Sequence, residues 1–322
     1  MTRLNPLLIL GGTGFVGRSL CETWTRQPST SAAGVRLRVP TRRTGAGVAS
    51  VQMLPSVDLV RADLHDDATL VQLLQGCDAV VNLVAILHGS PEAFEAVHVG
   101  LPRRLVAACQ AAGVRRVIHV SALGVAPDAP SHYLRSKARG EAVLRDSGLE
   151  VTLLRPSVIF GAGDRFLNLF AQLQALAPLV PLAGASARFQ PVWVEDVARA
   201  IITSLGRPDT IGQTIECAGP EVKTLRELVA LAGRLSGHPR PILPLPDSLA
   251  TLQAWAMECL PGEPLMTRDN LASMQTPNVA SGMLPGLSSL GLTPASVEAV
   301  AATYLGQPLR CARLDAWRAR HW

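Results

Sequence analysis

Leu7-Leu8-Ile9-Leu10-Gly11-Gly12-Thr13-Gly14-Phe15-Val16-Gly17-Arg18 decides the fold. An uncharged apolar run, long enough for one buried strand, breaks into four glycines within seven positions and resumes from Phe15 to Trp24 with apolar residues at helical spacing. This reads as strand, tight turn, helix. Such a junction gathers bare backbone N–H groups and the positive end of a helix dipole at one point. That suits a pyrophosphate, and glycine is needed wherever a Cβ would hold the ligand off. The glycines fit two registers, Gly12/Gly14/Gly17 and Gly11/Gly14/Gly17; the second is preferred because it leaves Gly11 to end the strand.

Outward from this junction the pattern repeats. Val35–Val39 alternates as a second strand, Val57–Val60 reads as a third, and Asp66 or Asp67 opens a capped helix that runs through Leu74 to Gly76. Asp78–Val84, apolar except for Asn82, reads as a fourth strand buried on both faces. One helix is expected over Ala93–Ala112, a fifth strand over Arg116–Val120, a helix over Ser131–Ser147 and a sixth strand over Val151–Leu154. Six alternations with short crossovers make a parallel, doubly wound Rossmann sheet with helices on both faces, an α/β fold. Past Arg155-Pro156 the rhythm loosens into proline-rich segments between helices. The expected division is therefore a dinucleotide-binding domain over 1–155 and a smaller α/β lobe over 156–322, with part of 189–218 able to return to the main sheet.

The bulk numbers exclude several classes. The chain has 322 residues, 48% of them apolar, and a net charge of +5. Arg310, Arg313, Arg318 and Arg320 against Asp315 put +3 of this charge in the last fifteen residues, so the body carries no basic surface suited to nucleic acid. Six cysteines without short paired spacing suggest neither zinc nor a disulfide framework, and a reducing, cytoplasmic compartment follows. No stretch reads as a signal peptide or a membrane span. The tail, with Leu309, Leu314, Trp317 and Trp322 between its arginines, could sit peripherally on the inner face of an anionic membrane.

The second strand should end at the adenosine ribose, where an acid selects NAD and arginine accommodates the 2′-phosphate of NADP. No Asp or Glu occurs from Thr23 to Val57, and Arg42 and Arg43 stand at the right place, so NADP(H) is expected over NAD(H). Tyr133 and Lys137, four apart on a helix, share one face, where an ammonium lowers the phenol pKa toward use as an acid or base. Only two tyrosines and two lysines occur in the chain, so this spacing would arise by chance on the order of one time in a hundred. Ser121, at the carboxyl end of the fifth strand, stands where such sheets present ligands and could hydrogen-bond a substrate carbonyl.

GGTGFVGR, Asp63-Leu64, Ser121, Tyr133/Lys137 and Arg155-Pro156 together resemble the short-chain dehydrogenase/reductase superfamily, in its extended or atypical branch. YLRSKARGE at Tyr133–Glu141, PSVIFGAGDRFLNLFA at Pro156–Ala171, QPVWVEDV at Gln190–Val197 and the arginine-rich tail are similar to the NADPH-binding accessory subunit of mitochondrial respiratory complex I and its bacterial relatives. The resemblance implies that Gly11, Thr13, Gly14, Phe15, Val16 and Gly17 hold the pyrophosphate and that Arg42 and Arg43 hold the 2′-phosphate. Asp63 and Leu64 would take the adenine, and Asn82 to Ala85, with Val84, would border the nicotinamide ribose. Lys137 would bond the ribose hydroxyls, Pro156 to Val158 would face the carboxamide, and Ser121 and Tyr133 would transfer protons. Extended reductases carry asparagine where His98 falls, so His98 reads as a packing or hydrogen-bonding residue.

Two functions follow. One is an NADP(H)-dependent oxidoreductase or an epimerase/dehydratase, acting on a small-molecule carbonyl near Ser121 and Tyr133. The other is a non-catalytic NADPH-binding accessory or assembly factor that docks on a respiratory complex or a quinone-pathway complex. The substrate itself is not legible.

Overall fold

Seven short parallel strands carry the structure, a computed structural model that describes residues 6–27, 34–42, 48–259 and 264–305. In chain order the first part runs β1 (Leu7–Leu10), α1 (Phe15–Arg26), β2 (Leu37–Thr41), α2 (Ala49–Gln52), β3 (Val57–Arg61), α3 (Asp67–Leu74) and β4 (Ala79–Asn82). It continues with α4 (Pro91–Glu95), α5 (Leu101–Ala112), β5 (Arg116–Val120), α6 (His132–Arg145) and β6 (Glu150–Pro156). With β11 (Thr214–Cys217) at one edge, the strand order β11-β6-β5-β4-β1-β2-β3 turns back beside β1, so the carboxyl ends of β1 and β4 flank the crevice in which such sheets bind ligands. The register sets Leu10 against Asn82 and Asn82 against His119.

The edge strand β11 (Thr214–Cys217) comes from far down the chain and pairs with β6, Cys217 opposite Pro156. The sheet layer thus draws on both sides of residue 155. Phe189–Val194 behaves differently: β9 (Arg188–Phe189) pairs with β12 (Lys223–Thr224), and β10 (Val192–Trp193) pairs with β7 (Ile159–Phe160), both outside the main sheet.

Each face of the sheet has its own core. Ile9, Val81 and Ile118 meet Leu20 and Trp24 of α1 and Ile201 of α8 (Val194–Leu205) on one side. Leu8, Val80 and Val117 meet Leu74 of α3, Leu105 of α5 and Leu144 of α6 on the other. A strand buried on both faces cannot alternate polar and apolar residues, which is why β1 and β4 read as continuous apolar runs. Each fully buried aliphatic side chain contributes roughly 1.5–3 kcal/mol. A third core, with Phe160, Phe170, Leu228 and Val297 among its members, joins α7 (Leu167–Leu176), α9 (Leu225–Leu235) and α12 (Val297–Leu305). β8 (Val180–Leu182) and β13 (Ile242–Pro244) pair at its margin, followed by α10 (Asp247–Glu258) and α11 (Arg268–Ser273).

The single helix expected over Ala93–Ala112 is interrupted. Between α4 and α5 lies a five-residue π turn, Ala96–Gly100, closed by Leu101 N–H on Ala96 O. Pro102 is the cause: it has no N–H to offer the carbonyl four residues back, that of His98, and its ring crowds that carbonyl. The released His98 carbonyl faces α6 so closely that a Cβ at Gly140 would lie 2.0 Å from it. Among the described residues no helix is long and apolar enough to cross a membrane.

Candidate functional site

The glycine turn leaves β1 through Gly11, at φ +82°. A Cβ there would stand 3.2 Å from the Leu83 carbonyl carbon, and one on Gly17 would stand 2.4 Å from the Gly11 carbonyl oxygen. Strand, turn and helix close up only with glycine at both positions. Gly14 caps α1, so no side chain satisfies the first amides of that helix, and no acid occupies its first turn. An open helix start at the crevice of a doubly wound sheet, with Thr13, Phe15 and Val16 in its backbone, suits a diphosphate.

Of the two arginines expected at the adenosine, Arg42 is exposed one residue past β2. Arg43 lies outside the described residues. Arg61, absent from the sequence reading, stands opposite Thr41 in the β2–β3 register and so adds a cation to the same end of the sheet as Arg42. The only signal for it was the pairing of strands 20 residues apart. Asp63 accepts His65 N–H at 3.1 Å, and Leu64 holds Arg104 through its carbonyl at 2.6 Å, so both stabilise the loop after β3.

Asn82 closes β4 with its side chain turned into the protein. Its Oδ1 accepts Val84 N–H at 3.1 Å, which leaves its amide nitrogen to donate to His119 Nδ1 at 3.2 Å. His119 therefore carries its proton on Nε2, which is buried and makes no hydrogen bond among the described residues. Burial and the nearby Lys137 charge hold His119 neutral, well below the ordinary histidine range.

His98 is tied the same way. Ile86 N–H donates to Nε2 at 3.2 Å, so Nδ1 carries the proton and meets Ser136 Oγ at 2.8 Å, and that hydroxyl donates to the Tyr133 carbonyl at 2.8 Å. Phe94 stacks on the ring at 5.5 Å, and burial pushes the pKa down to about 3. His98 is thus a neutral strut between the loop after β4 and the helix of Tyr133.

Ser121 follows β5 directly. Its amide donates to Leu154 O at 2.7 Å, while its hydroxyl is buried and makes no hydrogen bond among the described residues. Tyr133 packs against the small cluster of Val125, Ala129 and Leu134, with Phe94 and His98 edge-on to its ring. Lys137 is buried one turn further along α6, where Nζ donates to the Val120 carbonyl at 2.8 Å. Burial lowers its pKa to about 8, against the opposing pull of Glu141. Glu141 in turn grips Arg155 of β6 through two hydrogen bonds, 2.9 and 2.5 Å, and so fixes α6 to the sheet.

One expectation fails here: the phenol of Tyr133 is not lowered by Lys137. Burial pushes it up to about 12, because the ammonium is spent on Val120 O and desolvation dominates. The residues expected to face the carboxamide have partners within the protein. Val158 N–H donates to Asn278 Oδ1 at 2.8 Å and its carbonyl accepts Val192 N–H at 3.0 Å, so only its side chain is free to face a ligand. Pro156 closes β6 with its carbonyl bonded to Leu123 N–H. Asn278, 120 residues from Val158, had no signal in the sequence.

A cleft of about 380 Å³ opens beside Tyr133, between His88, Gly89 and Phe94 on one wall and Glu258, Pro264, Thr267 and Asp269 on the other. Phe94, edge-on to the Tyr133 ring, and Asp269, which accepts the His132 and Tyr133 amides, join this cleft to the start of α6. The glycine cradle and the unsatisfied Ser121 hydroxyl fit a nicotinamide dinucleotide laid across the crevice.

The NAD dependent epimerase/dehydratase family model matches residues 7–218. Over 296 residues the chain is 31% identical to NADH dehydrogenase (ubiquinone) 1 alpha subcomplex subunit 9, mitochondrial, of Mus musculus, covering 90% of this chain and 77% of that protein. It is 28% identical over 255 residues to a ceramide reductase of Caulobacter vibrioides, covering 77% of each. Among solved structures, DesIV, the dTDP-glucose 4,6-dehydratase of Streptomyces venezuelae solved with NAD bound, superposes with a TM-score of 0.72 at 22% identity, covering 93% of this chain and 95% of that one. Fold, glycine junction and family match coincide over the same residues, and the chain belongs to the NAD dependent epimerase/dehydratase family.

Proposed function

We propose that this protein is an NADP(H)-dependent oxidoreductase of the short-chain dehydrogenase type, with Ser121, Tyr133 and Lys137 as its proton-handling set. The observation that carries this is the Ser121 hydroxyl, buried at the carboxyl end of β5 with no partner among the described residues. A hydroxyl kept unsatisfied costs about 1–3 kcal/mol, and a ligand carbonyl or alcohol would recover it. When bound, the nicotinamide supplies or accepts hydride. The chain holds the ribose through the two remaining Lys137 protons, orients the reacting oxygen with Ser121, and moves a proton at Tyr133 Oη. Arg42 and Arg43, in a stretch free of acids, favour the 2′-phosphate, so NADP(H) is the cofactor.

NADPH oxidation measured over a panel of carbonyl compounds tests this. Tyr133→Phe and Ser121→Ala should each depress turnover by on the order of a hundred-fold while NADPH still binds.

A second reading has its own observation: relatives covering most of the chain are named as subunits of NADH dehydrogenase, and a phenol held near 12 is far from neutral working pH. On that reading NADPH is structural, the protein docks on a respiratory complex with its arginine-rich tail at the membrane surface, and Tyr133→Phe is silent. The tail lies outside the described residues.

A further inference from the structure

The helix α10 is built the wrong way round for a helix whose only task is to cover a core. Its buried residues are two alanines, Ala250 and Ala254, while Leu249, Leu252 and Trp255 are 49, 56 and 52% exposed. Burial alone selects the opposite arrangement. Positions 249, 252, 255 and 258 are spaced by three and follow one ridge that winds half-way round the helix over about 14 Å and ends in Glu258 at the cleft. Leu265, next to Pro264 of the cleft wall, is also half exposed.

The carboxylates and the hydroxyl of the cleft are already engaged. Glu258 accepts the Arg268 amide at 2.7 Å and its guanidinium at 2.8 Å; Asp269 accepts the His132 and Tyr133 amides; Thr267 caps α11 through Asn270. None of the seven lining side chains is a lysine or arginine, and two are carboxylates. A diphosphate or carboxylate placed there would meet two carboxylates, and the cation at the rim, Arg268, is already paired with Glu258.

We infer that this cleft takes an uncharged carbonyl compound or alcohol with a long apolar chain, the polar end toward Ser121 and Tyr133 and the chain laid along Trp255, Leu252 and Leu249, and that it rejects nucleoside-diphosphate sugars. This rests on the oxidoreductase reading for the position of the reacting oxygen; binding of the chain does not. Apolar area on α10 and the charge of the cleft select the same ligand, which neither would do alone.

Calorimetric titration of 2-undecanone, undecanoate and dTDP-glucose into the full-length protein with saturating NADPH tests it. The ketone should bind at least ten-fold more tightly than the carboxylate of the same length, and dTDP-glucose should not bind. Leu252→Glu and Trp255→Glu, both on the surface, should each weaken the ketone roughly ten-fold or more while NADPH affinity and melting temperature stay unchanged. Tighter binding of dTDP-glucose than of the ketone overturns the inference, as does ketone binding indifferent to both variants. Loss of phosphatidylcholine-vesicle binding in the variants, with ketone binding intact, would make the ridge a membrane contact and overturn it too. Should NADPH fail to bind, the proposed function falls, and titration of the ketone without cofactor still decides the cleft.

Discussion

Asp269 accepts the backbone N–H of Tyr133 at 3.1 Å and that of His132 at 2.7 Å, from 136 and 137 residues away. With Ser131 Oγ on Leu134 N–H, the first three amides of α6 are all satisfied, two of them by a residue of the C-terminal part of the chain. The helix that carries Tyr133 and Lys137 is therefore held at its start by the wall of the cleft. A carboxylate at a helix start also gains from the dipole.

Asp269→Ala should cost about 1–2 kcal/mol and lower the melting temperature by roughly 2–4 °C, with Asp269→Asn in between because one acceptor survives. Chemical denaturation of the three proteins checks it. Equal stabilities would show that the contact does not hold the helix.

Acid should unfold this protein through its buried histidines. The pKa of His98 in the folded protein is about 3, against an ordinary 6.5, so below pH 6.5 the unfolded chain binds the proton that the folded chain refuses. Stability is then lost as pH falls from about 6.5 toward 3, about 2 kcal/mol of it by pH 5 from this residue. Denaturation at pH 7 and pH 5 should show His98→Asn losing less than the parent by that amount. An identical pH dependence would mean that His98 is protonated in the folded state.

Lys137 predicts a dependence at the other end. Its pKa falls from 10.5 to about 8 on folding, so below pH 8 burial of the ammonium opposes folding in full. The penalty fades as pH rises from 8 to 10.5, because there the unfolded chain binds more protons than the folded one. Lys137→Met should stabilise the cofactor-free protein at pH 7 by up to about 3 kcal/mol, an advantage that vanishes near pH 10.5. The same variant should weaken NADPH. A destabilised Lys137→Met at pH 7 would show that the bond to Val120 O outweighs desolvation.

Cofactor choice should rest on Arg42. A charge-assisted contact to the 2′-phosphate contributes roughly 1.5–3 kcal/mol, so Arg42→Ala should weaken NADPH at least ten-fold and leave NADH within about two-fold. Fluorescence titration of both cofactors measures this. Equal losses would place Arg42 on a phosphate that both cofactors share.

The sequence by itself determined whatever is set within a few residues. The strand-turn-helix at Leu7–Arg18, the buried strands, the helix starts at Asp66 or Asp67 and at Ser131, and the shared face of Tyr133 and Lys137 follow from backbone periodicity and glycine stereochemistry, which act locally. Pro102 marks the break at Ala96–Gly100 in the sequence, but the apolar spacing that continues through it reads as one helix. Only the tertiary structure decided that Thr214–Cys217 closes the sheet beside β6, that Asn278 takes the Val158 amide, that Asp269 caps the helix of Tyr133, and that His98 and His119 stay neutral. It also reversed the expected effect of Lys137 on the phenol. Helix spacing sets which side chains are neighbours, whereas a pKa depends on how far water has been removed and on which partner, often more than a hundred residues away, has already taken the charge.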